Sequence, residues 1–481
     1  MPYRAIAIFC LLLLTAFFSP QIVQVNEKQH EEYVYYGVIP SRIYFAEPSR
    51  PLHGAIDPTA GFEIDPLSVA RSALIAIIAL QDDTNVKVYT LDDGDLIAEA
   101  RLNFMEKFFV KVANGTRFKV VSNNPVTTMI LGGNVGGKEL SPEMSMGPTP
   151  NTFLTSIDGR YVGKEFIFIA SQGLTGTPYR ILALEDSEIT VTCEDGAEES
   201  FRLKAYTYKG LSLKPFKAYR VKSTGHVIMQ CGGPGSFSFQ VPSAEGGFVG
   251  RYFFSSSITT WDTVEEYGFK ILSQKNAKVS IWDVEYRRKL SEIEVKGGEG
   301  ATVKPNANEI MIESSEPITV IFAHNGSLAR SYSWAYGAGV TFMAVRANEE
   351  ALIYLPQNST VEAYIFAYED SLVNINDATI NIRADSFFCL TNPGVNKISS
   401  DKTLIIQIVH WPLFPQFQGI SSFGAVVPCV QTVGLSTNIS ISLIEQEGSP
   451  VSAIYIYIGV AAAIIVASIG YILAKRRLYS K

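Results

Sequence analysis

The feature that most constrains the fold of this chain is an internal repeat. Four stretches share one pattern, in which an apolar run, a short polar turn and an alternating β-branched run follow one another; they are residues 77–88, 181–191, 271–281 and 366–375. Equivalent positions fall at Ala79, Ala183, Leu272 and Ala367, at intervals of 104, 89 and 95 residues. Self-similarity at a nearly fixed period predicts an array of like structural units.

Within each repeat the periodicity is that of β-strands. Short runs of alternating apolar and polar residues, such as 189–193 and 227–231, are separated by Gly, Asp, Asn and Pro. The apolar run 72–80 (SALIAIIAL) is too short to span a membrane and indicates a buried strand. We therefore predict an all-β fold of tandem sandwich-like repeats of about 95 residues. A propeller-like closure of the repeats is the alternative.

The two ends of the chain predict its location. Residues 453–474 carry no charge and are followed by Lys475, Arg476 and Arg477. A helix of about 20 apolar residues spans a bilayer, and basic residues stay on the cytoplasmic side. Residues 1–25, with an apolar core at 6–18, are typical of a secretory signal peptide, although an uncleaved signal anchor is an alternative. We expect a single-pass type I protein of the cell membrane, which contacts lipid through the C-terminal helix and has an extracellular ectodomain.

The repeats divide the remaining chain into consecutive segments. We expect a signal peptide, an N-terminal extension, four β repeats (the last with a membrane-proximal stem), a transmembrane helix and a cytoplasmic tail; these are residues 1–25, 26–70, 71–160, 161–250, 251–350, 351–452, 453–474 and 475–481. The predicted tail is too short to fold as a domain. Any function is therefore expected in the ectodomain.

Composition and motifs exclude several classes of function. The formal net charge of −7 argues against nucleic acid, whose phosphates require patches of Lys and Arg. The sequence contains no nucleophile elbow, zinc-protease, P-loop or dinucleotide motif, so we expect neither an enzyme nor a bound cofactor or metal. Asp92, Asp93 and Asp95 could offer oxygen ligands to calcium, but the Asp-Gly step within them is first a hairpin turn. His324 and His410 fall at similar places in their repeats, where we expect them to cap strand ends.

Cysteines and sequons fit an exported protein. Apart from Cys10, the four cysteines are Cys193, Cys231, Cys389 and Cys429. An even number in an exported chain suggests disulfides, and we favour the pairs Cys193–Cys231 and Cys389–Cys429, with four free thiols as the alternative. Potential N-glycosylation sites lie at Asn114, Asn325, Asn358 and Asn438.

The repeat motif resembles a known family. An acidic turn between strands at 183–191 and 367–375, a Ser-to-Pro closing motif at 122–126 and 315–320, and a first strand at 161–167 are similar to the amino-terminal domain of IgG-Fc-binding proteins and its prokaryotic relatives. The resemblance covers roughly residues 70–430. It implies an extracellular β-rich module used for binding or adhesion, and it carries over no antibody-contacting residue.

The predicted function follows from the anchor, the repeats and the missing catalytic motifs. We expect the extracellular β repeats to act in adhesion or in binding a ligand or cell-envelope component, with an unknown extracellular protein or polysaccharide as partner. The alternative is a membrane-anchored glycan hydrolase that uses Asp and Glu side chains, because carboxylates are numerous and their separation in space is not visible in a sequence.

Overall fold

All regular secondary structure in the described residues is β-strand, which confirms the all-β prediction. The computed structural model describes residues 32–41, 46–48, 62–64, 72–135, 138–143, 152–171, 179–232, 238–259, 261, 268–323, 339–355, 361–410 and 422–443. Across these ranges no helix is long and apolar enough to cross a membrane. The predicted signal peptide and the predicted span at 453–474 lie outside the described residues.

The strands form four β modules that follow one another along the chain. Module 1 holds β1 (Tyr33–Val38), β2 (Ala46–Pro48), β3 (Phe62–Ile64), β4 (Ser72–Ala79), β5 (Thr84–Thr90), β6 (Leu96–Leu102), β7 (Lys107–Ala113), β8 (Arg117–Ser122), β9 (Val126–Val135) and β10 (Lys138–Glu139). Module 2 holds β11 (Thr152–Phe153), β12 (Val162–Ile169), β13 (Tyr179–Ala183), β14 (Ser187–Cys193), β15 (Glu198–Leu203), β16 (Thr207–Leu211) and β17 (Ala218–Cys231).

Two further modules and one final strand follow. Module 3 holds β18 (Phe239–Val241), β19 (Gly250–Ser256), β20 (Gly268–Ser273), β21 (Ala277–Asp283), β22 (Arg288–Val295), β23 (Glu299–Val303) and β24 (Glu309–Ala323). Module 4 holds β25 (Gly339–Val345), β26 (Glu350–Leu355), β27 (Val361–Ala367), β28 (Ser371–Ile375), β29 (Ala378–Ile382), β30 (Ser386–Leu390), β31 (Gly394–Ser400) and β32 (Leu404–His410). The last described strand is β33 (Ser422–Val427).

The four modules share one antiparallel topology. In module 4 one sheet has the order β26-β31-β28-β29 and the other β25-β32-β27-β30. Module 1 repeats this arrangement with β1-β8-β5-β6 and β9-β4-β7, and the short β10 forms a hairpin with the end of β9. In modules 2 and 3 the two sheets are joined, because the long strands β17 and β24 run through both. Each module therefore has the alternating, two-sheeted pairing of a small sandwich.

A left-handed residue recurs at one turn of every module, between β6 and β7, β15 and β16, β22 and β23, and β29 and β30. The equivalent residues are Met105, Tyr206, Gly298 and Asp385, with φ of 62°, 57°, 79° and 53°. The amide of Met105 donates to the carbonyl of Ala79, 3.0 Å away, and Tyr206 donates in the same way to Ala183 at 2.7 Å. Such a conformation costs about 1–2 kcal/mol for a residue with a side chain. The hydrogen bond to the end of β4 or β13 offsets that cost.

The opening strands β4, β13, β20 and β27 are buried on both faces. In β4 one face packs inside module 1, while Leu74, Ala76 and Ile78 pack into the core of module 2. In β13 the same alternation places Leu182 in contact with the core that includes module 3. This two-sided burial explains the uninterrupted apolar run at 72–80, and it confirms that run as a buried strand.

The C-terminal strand completes the first module. We call β9, β17, β24 and β32, the strands at or near the end of each module, the closing strands. In modules 2, 3 and 4 the closing strand pairs with the first strand of its own module; these first strands, the inner strands, are β11, β18 and β25. In module 1 the corresponding partner of β9 is β33, which pairs through Phe423 with Gly132 and through Ala425 with Ile130. The inner strands also contact one another in the closed order β11, β18, β25, β33. The chain of modules thus closes on itself.

The contact between module 4 and module 1 is tight and polar at its centre. Gln407 of β32 is fully buried; its side-chain amide donates to the carbonyl of Val38, and its oxygen accepts from the Val38 amide, both at 2.7 Å. Beside them the rings of Tyr36 and Phe366 stack at 5.8 Å. At the equivalent position between modules 2 and 3, Gln230 accepts from the amide of Ser256 at 2.8 Å.

We predict that Gln407→Ala lowers the free energy of unfolding by about 2–5 kcal/mol, because both backbone groups of Val38 lose their buried partner. The measurement is urea unfolding followed by tryptophan fluorescence. Gln274→Ala is the matched control, since Gln274 also crosses a module boundary, to the carbonyl of Glu350, but lies at the surface. Equal losses in the two variants would contradict a special role for the buried glutamine.

Candidate functional site

A surface cleft of about 630 Å³ lies at the boundary between modules 1 and 2. Its wall is formed by the turn and strand that follow β6 and by two turns of module 2; the lining residues are Leu102, Met105, Glu106, Lys107, Phe109, Glu194, Asp195 and Lys217. The cleft is shallow and open to solvent. Its position at a boundary is one where ligand sites commonly form.

Lys107 links the two sides of the cleft. It begins β7 in module 1, and its ammonium group lies 2.6 Å from a carboxylate oxygen of Glu194 in module 2. The same ammonium donates to the carbonyl of Phe216 at 2.9 Å. Lys217 reaches Glu194 from the other side at 2.9 Å. The cleft therefore has a fixed arrangement of charges, held by side chains from both modules.

The two module 2 carboxylates of the cleft are ionised at neutral pH. Burial alone raises the pKa of Glu194, but hydrogen bonds from Lys107, the Ala218 amide and Lys217 bring it below its usual value. A hydrogen bond from Lys214 lowers the pKa of Asp195. Neither group is suited to act as the protonated acid that glycoside hydrolysis requires, since that acid needs a raised pKa.

Apolar groups form the remainder of the cleft wall. Leu102 is buried, and Met105 and Phe109 are half-buried. The ring of Phe109 meets that of Phe216 edge to face, with centroids 6.3 Å apart. An apolar strip beside paired charges can bind a ligand that has both apolar and polar faces, such as a sugar chain or an extended protein segment.

A second polar group is buried at the boundary between modules 2 and 3. Glu309, at the start of β24, is 5 % exposed, and Arg180 of β13 places its Nε atom 2.8 Å from Glu309 Oε1. This close contact does not have hydrogen-bond geometry, and neither that oxygen nor Nη1 of Arg180 has a hydrogen-bond partner among the described residues. Burial raises the pKa of Glu309 to about 8, and the nearby Arg180 offsets only part of this effect. Among the carboxyl groups with a resolved shift, Glu309 is the one best able to hold its proton near neutral pH.

The buried carboxylate of the adjacent strand points away from Glu309. The other buried carboxylate in this region, Asp283, belongs to β21 and pairs in register with Ile310. Successive side chains of a strand point to opposite faces, so the pleat directs Asp283 and Glu309 to opposite sides of the sheet. A second carboxylate, Glu285 in the turn after β21, lies close enough to raise the pKa of Glu309 further.

The predicted disulfides are a point of correction, because all four cysteines are free in the structure. Cys193 pairs in register with Tyr219 at the start of β17, whereas Cys231 ends that strand and bonds to the carbonyl of Thr152. Cys389 lies in module 4. Cys429 instead forms a backbone β-bridge with Tyr35 of module 1, because β33, which precedes it, pairs with module 1. Proximity in sequence was therefore a poor guide to proximity in space. Burial raises the pKa of the Cys231 thiol to about 12.

The other sequence-predicted positions are scattered. Asn438 is exposed, and Asn114 lies in a partly exposed turn where its amide donates to the carbonyl of Ser41 at 2.8 Å. Asn325, Asn358 and His324 lie outside the described residues, as does the side chain of His410. Asp92 pairs with Arg117 at 2.9 Å. Within the described ranges no cluster of three or more potential metal ligands is present.

No sequence pattern marks the cleft. Lys107 and Glu194 are 87 residues apart in the chain, and nothing local to either marks them as partners. The repeat alignment could have placed them near a module boundary, but not in contact. Compared with known proteins, the chain matches no family model and no curated protein.

We predict that Glu309 makes stability fall as pH rises. Its carboxyl has a pKa of about 8 in the folded protein against an ordinary 4.5, so folding favours the protonated form. Stability is therefore fully present below about pH 4.5 and is lost progressively up to about pH 8, by about 2–5 kcal/mol. Urea unfolding between pH 5 and 8.5 measures this slope, and Glu309→Gln should flatten it.

The control for this prediction is Glu292→Gln. Hydrogen bonds from Lys278 and Lys289 lower the pKa of Glu292 to about 2, so this group is ionised throughout the measured range. Its replacement should leave the slope unchanged. An unchanged slope in Glu309→Gln would show that Glu309 is not the group responsible.

Proposed function

We propose that this chain is a single-pass, membrane-anchored cell-surface protein whose extracellular β modules bind a ligand, either an extracellular protein or a polysaccharide. The observation that carries the binding proposal is the cleft between modules 1 and 2. It combines an apolar strip with charges from Lys107, Lys217 and Glu194, and these charges are already paired and fixed before any ligand arrives. A preorganised site of this kind loses little freedom on binding.

Binding is favoured over glycan hydrolysis by the carboxyl groups. In the cleft, the pKa of Glu194 and that of Asp195 are lowered, so neither supplies a proton donor at neutral pH. Glu309 has a raised pKa, but it is buried against Arg180, and the buried Asp283 of the adjacent strand points to the opposite side of the sheet. The hydrolase alternative would need a catalytic pair elsewhere in the chain.

The location and architecture are parts of the same proposal. The uncharged run 453–474 with its basic flank supports an anchor, and the apolar core at 6–18 supports export. The pairing of β33 with β9 favours sandwich-like modules closed in a cycle over an open tandem rod. The repeat motif supports a relation to the IgG-Fc-binding-protein amino-terminal domain, whose modules are likewise extracellular.

The test of binding uses the full-length protein in detergent micelles for a glycan array and a pull-down from cell-envelope extracts. We expect a ligand that is retained and released unchanged, and Lys217→Glu should weaken its binding at least tenfold by placing a negative charge beside Glu194. Lys278→Glu is the matched control, because Lys278 also pairs with a glutamate, Glu292 at 2.7 Å, but lies in module 3 outside the cleft.

Two results would contradict the proposal for this site. Equal weakening by Lys217→Glu and Lys278→Glu would show that the cleft does not contact the ligand. Release of shortened or cleaved glycan would favour the hydrolase alternative.

We also predict N-glycans on the exposed Asn438 and on Asn114 when the protein is made in its native source. An extracellular location brings these sequons into contact with the glycosylation machinery. Mass spectrometry of tryptic glycopeptides tests this prediction, with Asn438→Gln as the site control. Unmodified asparagine at all four sequons would contradict it.

A further inference from the structure

The segment after β33 runs across the described modules. Its start pairs with module 1, where the amide of Val430 donates to the carbonyl of Val34 at 2.9 Å. Further along, the amide of Thr437 donates to the carbonyl of Glu245 in module 3, and the amide of Ser442 donates to the hydroxyl of Tyr206 in module 2 at 2.9 Å. We name residues 428–443 the strap.

Equivalent turns of three modules converge on the strap. The turns that join inner strands to the next strand lie at residues 156–160, 243–247 and 346–349 in modules 2, 3 and 4. Gly159 lies against Thr432, and Gly246 lies against the backbone of Leu435. Arg346 of module 4 donates to the carbonyl of Gly246 and lies against Gly434 of the strap. With its pairing to module 1, the strap therefore touches all four modules.

The contact of the strap with module 3 is too close for any side chain. Gly246 has φ of +100°, and a Cβ atom there would lie 2.4 Å from the carbonyl oxygen of Leu435. Because that oxygen belongs to the backbone, the strap itself would have to move. Gly196 provides a comparison, since it has φ of +84° but nothing lies within 4 Å of the position of a Cβ atom.

The strap lies on the path between the modules and the proposed anchor. From Leu443 to the start of the uncharged run at Ala453 is ten residue steps, which reach at most about 36 Å. The strand β33 is buried, with Phe423 stacked so closely over Gly132 that a Cβ there would meet its ring at 2.2 Å. A force applied to the anchor is therefore transmitted first to the strap and then to β33.

We propose that β33 and the strap form a latch: the anchored end of the chain closes the cycle of modules and holds them by backbone pairing, independently of its covalent link to module 4. The mode of attachment is the addition of a strand to a sheet, in which main-chain hydrogen bonds supply the affinity. This inference rests on the proposed anchor for its biological meaning. Its structural content does not depend on ligand binding.

The experiment separates the latch from its covalent link. A protease recognition sequence replaces residues 414–419 of the full-length protein, and tags report the two fragments after cleavage. We expect the fragments to elute together on size exclusion in detergent and to separate only in denaturant. The double variant Phe423→Ala with Gly246→Ala should separate after cleavage without denaturant, whereas Gly196→Ala should behave as the native sequence.

Separation of the native fragments without denaturant would overturn the proposal. A second measurement needs no cleavage: hydrogen exchange in the intact protein should protect the β33 amides at residues 424–427 as well as those of β4. Fast exchange in β33 beside slow exchange in β4 would also overturn it. Neither readout involves a ligand, so failure of the latch and failure of the proposed binding function are distinguishable.

Discussion

The burial of each opening strand on both faces is the constraint on which the rest of the structure depends. One face of β4 fills its own module, and Leu74, Ala76 and Ile78 on the other face fill part of the next. Burying a large aliphatic side chain is worth about 1.5–3 kcal/mol, so an isolated module would leave a costly apolar face in water. Each module therefore needs a successor. A linear array would leave the last opening strand uncovered, and closure of the cycle removes that exposed face.

The closing contact shows how this requirement is met at the end of the array. Module 4 presents Tyr364 and Phe366 on the outer face of β27, and β1 of module 1 covers them through Tyr36. A polar pair at the centre of an apolar contact fixes its register, because Gln407 satisfies both backbone groups of Val38 and a shift of one residue would break both bonds. The apolar surface thus provides the stability and the glutamine the alignment.

The sequence predicted the local features of this fold better than the long-range ones. The all-β class and the buried strand at 72–80 could be read from periodicity, because each depends on residues that are neighbours in the chain. The pairing of β33 with β9 joins residues about 300 positions apart, and no local pattern encodes it. The predicted pair Cys389–Cys429 was wrong for the same reason, since Cys429 follows β33 and lies against module 1 while Cys389 lies in module 4. No residue type marks the left-handed turns, because the side chains at the equivalent positions have nothing in common; these are Met105, Tyr206, Gly298 and Asp385.

Under the proposed function, closure and ligand binding are coupled through the boundary that contains the cleft. Lys107 of module 1 and Glu194 of module 2 lie 2.6 Å apart in the cleft, and module 1 is itself completed by β33. A ligand that binds the closed cycle and not an open one stabilises closure by RT ln(1 + [L]/Kd), about 2.7 kcal/mol when its concentration is 100 times Kd. By the same linkage, a load that opened the cycle would weaken the proposed binding by an equal free energy. Under the proposed function, β33 thus stabilises a site to which it contributes none of the lining residues.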